Sequence, residues 1–130
     1  MGMLLSRPEL RAHDRAIRAP IAEAVTELRD LLSGRLVAYI AGVSETRAVN
    51  EWADGARSIR SPETEARLRL ALQIAVMLAD ADQPPVVQAW FMGLNPELDD
   101  RSPARLLRDG ELDEVGPAVL AAARAFVAGV

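Results

Sequence analysis

The strongest indication of the fold lies in residues 90–110, which read WFMGLNPELDDRSPARLLRDG. Asn95-Pro96 is typical of a turn, because asparagine bonds to nearby backbone and the residue before a proline avoids helical geometry. Ser102-Pro103 is typical of a helix start, since a serine hydroxyl caps free N–H groups and proline suits the first helical turn. Gly110 is a suitable helix end. The stretch therefore predicts a helix, a turn and a short second helix.

Upstream, residues 35–55 predict two short helices joined by a turn that contains glycine. Residues 35–41 place apolar side chains on one side of a helix, and residues 42–44, Gly-Val-Ser, interrupt it. Ser44 is expected to cap a second helix over residues 45–54. Two short helices across such a turn form the helix-turn-helix pattern. The buried side of the second helix is predicted to be Ala48, Val49, Trp52 and Ala53.

Three further helices are predicted from their ends and their apolar spacing. Pro20 is expected to open a helix with an apolar stripe that ends at Gly34. Ser61-Pro62 is expected to start a long helix, in which Gln73 is the only polar residue between positions 71 and 79. A helix that is apolar on several sides must be buried on several sides. A last helix is predicted from about Glu114 or Pro117 to Ala128.

These elements predict an all-α fold of about seven helices, because no segment shows the alternation of a strand. A part that contains the helix-turn-helix is expected to be joined by the long central helix to a small helical C-terminal part. The predicted divisions are a polar N-terminal arm at 1–19, a helix-turn-helix region at 20–81 and a C-terminal region at 82–130. The arm carries four arginines and is either a solvated, partly ordered segment or a basic arm that contacts a phosphate backbone.

Composition excludes several classes of function. Cysteine is absent and histidine occurs once, so a disulfide framework and a thiolate zinc site are excluded and a histidine-based site is nearly so. No phosphate loop or nucleophile elbow is present, and we expect no enzyme activity, no metal and no cofactor. No apolar run approaches the roughly 20 residues of a membrane span. We therefore expect a cytoplasmic protein that does not bind membranes.

The charge of the chain is unevenly distributed. Residues 1–60 hold nine arginines against eight acidic residues, a charge of +1, whereas residues 61–130 hold six against eleven, a charge of −5. Because affinity for nucleic acid comes largely from neutralised phosphates, the acidic half is not expected to contact DNA. A local basic face in the first half is compatible with specific binding.

The candidate DNA contacts lie on and beside the second short helix. There Arg47 is suited to guanine and Asn50 to adenine in the major groove. The remaining candidates, expected to contact phosphates, are Ser44, Thr46 and Arg57. The alternative is a helical hairpin with a merely solvated outer face, which three acidic residues in the same helix favour, since carboxylates repel phosphate. Trp52 is expected in the core, because its spacing places it with Val49.

With these residues in view, the chain resembles the Xre/MbcA/ParS-like antitoxins, and in particular the actinobacterial type paired with RES-domain toxins. The resemblance covers about residues 21–130. The segments that carry it are LVAYIAGV at 36–43, EWADG at 51–55, RLR at 67–69 and AWFMGLNP at 89–96, followed by Ser102-Pro103, Gly110 and the alanine-rich last helix.

The resemblance implies an antitoxin whose C-terminal region, 82–130, binds and neutralises an NAD-degrading RES toxin. It also implies a homodimer that binds the operon's promoter DNA and a hetero-oligomer with the toxin. The toxin-binding candidates are Trp90, Phe91, Arg124, Phe126, Val127 and Val130. For the last helix, simple packing on its own domain is the alternative to docking in a partner. For the whole chain, the alternative is a stand-alone Xre-like transcriptional regulator.

Overall fold

The computed structural model describes residues 7–129, which form eight α-helices and one 3₁₀ turn with no β-strand among them. The predicted all-α class is confirmed. The helices are α1 (Arg7–Arg18), α2 (Ile21–Leu32), α3 (Gly34–Ala41), α4 (Thr46–Ala53), α5 (Pro62–Ala79), α6 (Pro84–Met92), α7 (Pro103–Asp109) and α8 (Leu112–Val127), and the 3₁₀ turn is Pro96–Leu98.

Helix α5 is the centre of the fold. It packs against α1, α2, α3, α6, α7 and α8, as its apolar sides predict. The Ser61 hydroxyl accepts a hydrogen bond from the Thr64 N–H at 3.2 Å, and Pro62 follows as the first helical residue. The buried residues of α5 are Leu68, Ala71, Leu72, Ile74, Ala75, Val76, Met77 and Leu78. A single core therefore connects the N-terminal and C-terminal parts of the chain.

The predicted turn and short helix at residues 95–110 are present. The Asn95 side chain accepts from the Glu97 N–H at 2.9 Å, and the Ser102 hydroxyl accepts from the Arg105 N–H at 3.2 Å. Between them, Asp99 and Asp100 both have left-handed backbone angles, with φ of 55° and 59°. This tight connection places residues 93–97 beside α8.

Three helix ends differ from the prediction. Ser44 does not cap α4, because that helix begins one residue later, after Glu45, and no side-chain cap bond is formed there. Gly34 is the first residue of α3, since Ser33, with φ of 93°, makes the break after α2. Helix α8 begins at Leu112 and continues through Pro117, which has no backbone N–H to donate within the helix.

The segment predicted as a polar arm is, over residues 7–18, a packed helix. Ala12 and Ala16 are buried against the core. The Arg69 guanidinium of α5 donates to the backbone oxygens of Ala16 and Ala19 at 2.9 and 2.8 Å. Three of the four arginines of α1 also form ion pairs within the protein, at Asp80, Glu27 and Asp14. Residues 7–18 are therefore part of the domain.

The close approach at Gly110 supports a prediction about stability. A Cβ atom at Gly110 would lie 2.5 Å from a methyl of Val115 and 2.8 Å from the Leu106 oxygen. We expect Gly110→Ala to lower the free energy of unfolding by about 1–3 kcal/mol, as overpacking does. Urea unfolding measures this.

The matched control is Gly34→Ala. There the added Cβ would have ordinary contacts, the nearest at 3.6 Å from Thr46. We expect its stability to stay the same or to rise by up to about 1 kcal/mol. Equal effects of the two substitutions would contradict the packing described at Gly110.

Candidate functional site

A groove of about 320 Å³ lies between the end of α6, the following loop and α8. We call it the C-terminal groove. Among residues 7–129, its walls combine apolar side chains with one carboxylate, that of Glu97. The residues that line it are Ala89, Trp90, Gly93, Leu94, Asn95, Pro96, Glu97, Ala122, Ala125 and Phe126. An apolar groove with a polar edge is the form that protein-binding surfaces commonly take.

The two adjacent aromatic residues of α6 have different roles in this groove. Phe91 is 0% exposed and packs edge-on against Trp90, with 5.3 Å between ring centroids. Trp90 is 8% exposed, and its other neighbour is Phe126 of α8, at 6.4 Å. Phe91 is thus a core residue. Because its side chain is fully covered by the protein, its burial contradicts the prediction that it contacts a toxin. Trp90 forms the wall behind Phe126.

Two exposed apolar residues that were not predicted occur here, Leu94 in the groove lining and Met92 two positions before it in the sequence. Leu94 is 75% exposed and Met92 is 59% exposed, beside Phe126 at 39% and Val127 at 41%. Clustered apolar exposure of this kind marks interaction surfaces. The sequence contained a signal for both residues. They are apolar and lie on either side of Gly93, where a helix ends and buried positions are not expected. Val130 lies outside the described residues.

The segment that forms the groove, residues 82–129, has an excess of acidic residues, of which Glu97 lines the groove itself. In residues 82–129, each of the four arginines has a carboxylate at 2.8–3.9 Å. The carboxylates of this segment that have no arginine partner among residues 7–129 are Asp82, Glu97, Asp100, Glu111, Asp113 and Glu114. A partner with basic residues around an apolar contact is therefore favoured electrostatically.

Arg124 connects this region to the N-terminal helix. Its Nε atom donates to Oε2 of Glu9 at 2.8 Å, and both side chains are largely withdrawn from solvent. The ion pair holds α8 against α1. Arg124 therefore supports the position of α8, which in turn places Phe126 at the groove.

The candidate DNA contacts lie together around α4. Ser44, Thr46 and Arg47 line one cavity, and Arg57 joins Ser44 and Arg47 in a neighbouring one. Arg47 and Arg57 share the carboxylate of Glu51, at 3.6 and 3.5 Å, which weakens their positive potential.

Asn50 is already engaged within the protein. Its side-chain oxygen accepts from Arg29 at 3.1 Å. Bidentate recognition of adenine uses both the oxygen and the nitrogen of the amide, so Asn50 would have to exchange this bond on binding.

The structure also bears on metal sites and membrane spans. Within residues 7–129, no group of three acidic or histidine side chains is arranged to hold a metal ion. None of the helices in the same range combines the length and the apolar character of a membrane span.

Comparison with known proteins gives one structural match. No family model and no curated protein matches this chain. A chain in the crystal structure of the M. tuberculosis MbcT-MbcA toxin-antitoxin complex matches it with a TM-score of 0.68 and 27% sequence identity. The match covers 86% of this chain and 97% of that chain. It supports an MbcA-like antitoxin fold, in agreement with the resemblance seen in the sequence.

Proposed function

We propose that this chain is an antitoxin that neutralises a toxin by binding it directly. The observation that carries the proposal is the fold that this chain shares with a chain of a toxin-antitoxin complex. The match covers 86% of this chain and 97% of that chain. The C-terminal groove supplies a surface suited to such binding. In this proposal the protein acts by covering its partner and performs no catalysis.

The groove provides both an apolar contact and a charge pattern for the partner. Leu94 and Phe126 offer apolar surface at its opening. Glu97 and the other unpaired carboxylates of residues 82–129 favour a basic contact face. Val127, the last residue of α8, is 41% exposed, and Trp90 supports Phe126 from behind. Val130 stays a proposed contact residue. Docking of the end of α8 in a partner is thus the interpretation we adopt.

We propose further that the toxin is an NAD-degrading enzyme of the RES type, as the family resemblance implies. The acidic excess of residues 82–129, with Glu97 in the groove, agrees with this assignment. An enzyme that binds NAD must present cationic or N–H groups to the diphosphate. An acidic inhibitor surface complements such a cleft and competes with the dinucleotide for it.

A second activity, DNA binding that regulates the operon, is supported by the arginines around α4. Arg29, Arg35 and Arg60 have no carboxylate partner among residues 7–129, unlike the arginines of residues 82–129. The two helices α3 and α4, separated by residues 42–45, are the unit we assign to the operator as a helix-turn-helix, acting in a homodimer. A stand-alone regulator is the alternative if no toxin partner exists.

The test is neutralisation in cells. The protein encoded by the adjoining reading frame is induced in a bacterial host, with and without this chain, and growth and cellular NAD are measured. We expect arrest and NAD loss without the chain, and normal growth and NAD with it, because the complex blocks the toxin. Arg47→Ala is the control that should neutralise fully. Toxicity unaffected by this chain would contradict the proposal.

A further inference from the structure

A second cavity, of about 690 Å³, lies between α3, the start of α4 and the end of α7. We call it the arginine cavity. Arg35, Arg47 and Arg108 line it, together with the ring of Tyr39 and the single carboxylate of Glu45. Its formal charge is thus three positive against one negative, in a chain with a net charge of −4. The excess of positive charge is local and contributed by three separate helices.

Arg108 is held in place at the wall of this cavity. Its guanidinium lies 4.6 Å from the centroid of the Tyr39 ring, and its Nη1 donates to the Tyr39 backbone oxygen at 3.2 Å. Its Nε lies 3.6 Å from a carboxylate oxygen of Asp109. An arginine that is fixed by stacking and hydrogen bonding loses little side-chain entropy when it binds an anion.

The other two arginines lack strong partners. Arg35 has no hydrogen bond or ion pair with any residue of the range 7–129. In the part of the chain that the structure describes, Arg47 has only Glu51, at 3.6 Å, and its side chain is 79% exposed. The carboxylate neighbours of Arg47 and Arg108 lie at 3.6 Å and offset their charge only in part, so the cavity keeps an excess of positive charge that a bound anion offsets. Guanidinium groups match the geometry of phosphate oxygens.

We propose that the arginine cavity binds a backbone phosphate of duplex DNA, with Arg35 and Arg108 as its main ligands and Arg47 at its edge. The hydroxyl-bearing residues Ser44 and Thr46 line the same cavity and offer further donors. The exposed side of α4 continues directly from this cavity, so a phosphate there would fix the duplex against α4. The proposal rests on the DNA-binding part of the proposed function.

The proposal adds a residue of the C-terminal region to the DNA contact. Arg108 belongs to α7, in the half of the chain whose overall charge is negative. Phosphate contacts position a protein on the duplex and carry no sequence information themselves. Loss of Arg108 should therefore weaken binding to related and unrelated duplexes by the same factor, whereas a base contact would affect one sequence more than another.

The experiment compares the full-length protein with Arg35→Gln, Arg108→Gln and the control Arg105→Gln. Arg105 lies on the same helix, is more exposed and does not line the cavity. The probes are a fluorescent duplex from the sequence upstream of this reading frame and an unrelated duplex, titrated between about 50 and 200 mM salt. Each cavity variant should bind both duplexes about tenfold more weakly. Each should also lower the slope of log affinity against log salt by about 0.9.

The variants separate a binding role from a structural one. Within residues 7–129 Arg35 forms no hydrogen bond or ion pair, so Arg35→Gln should leave the unfolding midpoint unchanged while it weakens DNA binding. Neutralisation of the toxin should be unaffected in both variants.

The proposal is overturned if both cavity variants keep the affinity and salt slope of the Arg105→Gln control. It is also overturned if inorganic phosphate shifts the NMR signals of Arg35 and Arg108 but neither duplex binds, because the cavity then takes free phosphate only. If the unaltered protein binds no duplex, the DNA assignment fails while the neutralisation assay still decides the antitoxin role.

Discussion

Replacing Leu94 and Phe126 together by aspartate is expected to weaken binding to the toxin partner by at least about 100-fold. Both side chains line the opening of the C-terminal groove, and Leu94 is the more exposed. The substitution removes two apolar contacts and places two charges in the apolar part of the contact, where burying a charge is costly. Central contact residues contribute about 2 kcal/mol or more each, and 1.4 kcal/mol corresponds to a factor of ten in affinity. Calorimetric titration of the purified partner measures the change.

The control for this experiment is Ile17→Asp. Ile17 is 58% exposed on α1 and does not line the groove, so the same chemical change occurs outside the proposed surface. Its affinity should equal that of the unaltered chain. Circular dichroism should show that the unaltered chain, the double variant and Ile17→Asp are equally folded, since exposed positions contribute little to stability. If the double variant binds as tightly as the control, the groove is not the toxin-binding surface.

Phe91→Ala is expected to lower the free energy of unfolding by about 3–5 kcal/mol, the range for a large aromatic side chain removed from a core. Phe91 is 0% exposed, and its ring packs against Trp90. A domain of this size is stable by only about 5–15 kcal/mol, so the variant approaches the limit of folding. Urea unfolding followed by tryptophan fluorescence measures the loss.

The adjacent substitution Met92→Ala is the matched control, because Met92 is 59% exposed on the same helix. Its effect on stability should stay within about 0.5 kcal/mol. If instead Phe91→Ala unfolds like the control but loses toxin binding, Phe91 is a contact residue, as the sequence alone suggested, and its burial described above is wrong.

The sequence predicts those parts of the fold whose signals are local. Ser61-Pro62 and Ser102-Pro103 each specify a helix start within two residues, because the cap hydroxyl and the proline act on the first turn alone. Both caps are formed in the structure. The nearly continuous apolar run from Ala71 to Ala79 likewise predicts burial on several sides, since no rotation of such a helix presents a polar face.

The sequence does not predict features that depend on contacts between distant segments. Helix α1 buries only small side chains, Ala12 and Ala16, which are a weak apolar signal among many charged residues, so its sequence resembles a solvated arm. Its attachment depends on Arg69, some fifty positions later in the sequence.

The same limit applies to the candidate sites. Which of Trp90 and Phe91 is buried depends on where α8 lies, and in the structure both are covered. Arg35 and Arg108 were not candidates for DNA contact, because only the packing of α7 against α3 brings them to one cavity. In each case the sequence shows the types of residue but does not show which of them lie close together in the folded protein.

The most direct test of the antitoxin role is whether this chain forms a complex with the protein of the adjoining reading frame. The two are expressed together with a tag on the partner only, purified by the tag, and analysed by size-exclusion chromatography with light scattering. We expect one peak of constant composition that contains both proteins, and NAD-degrading activity that appears only when the complex is dissociated. Separate elution of the two proteins, with the partner fully active in the presence of this chain, would contradict the account.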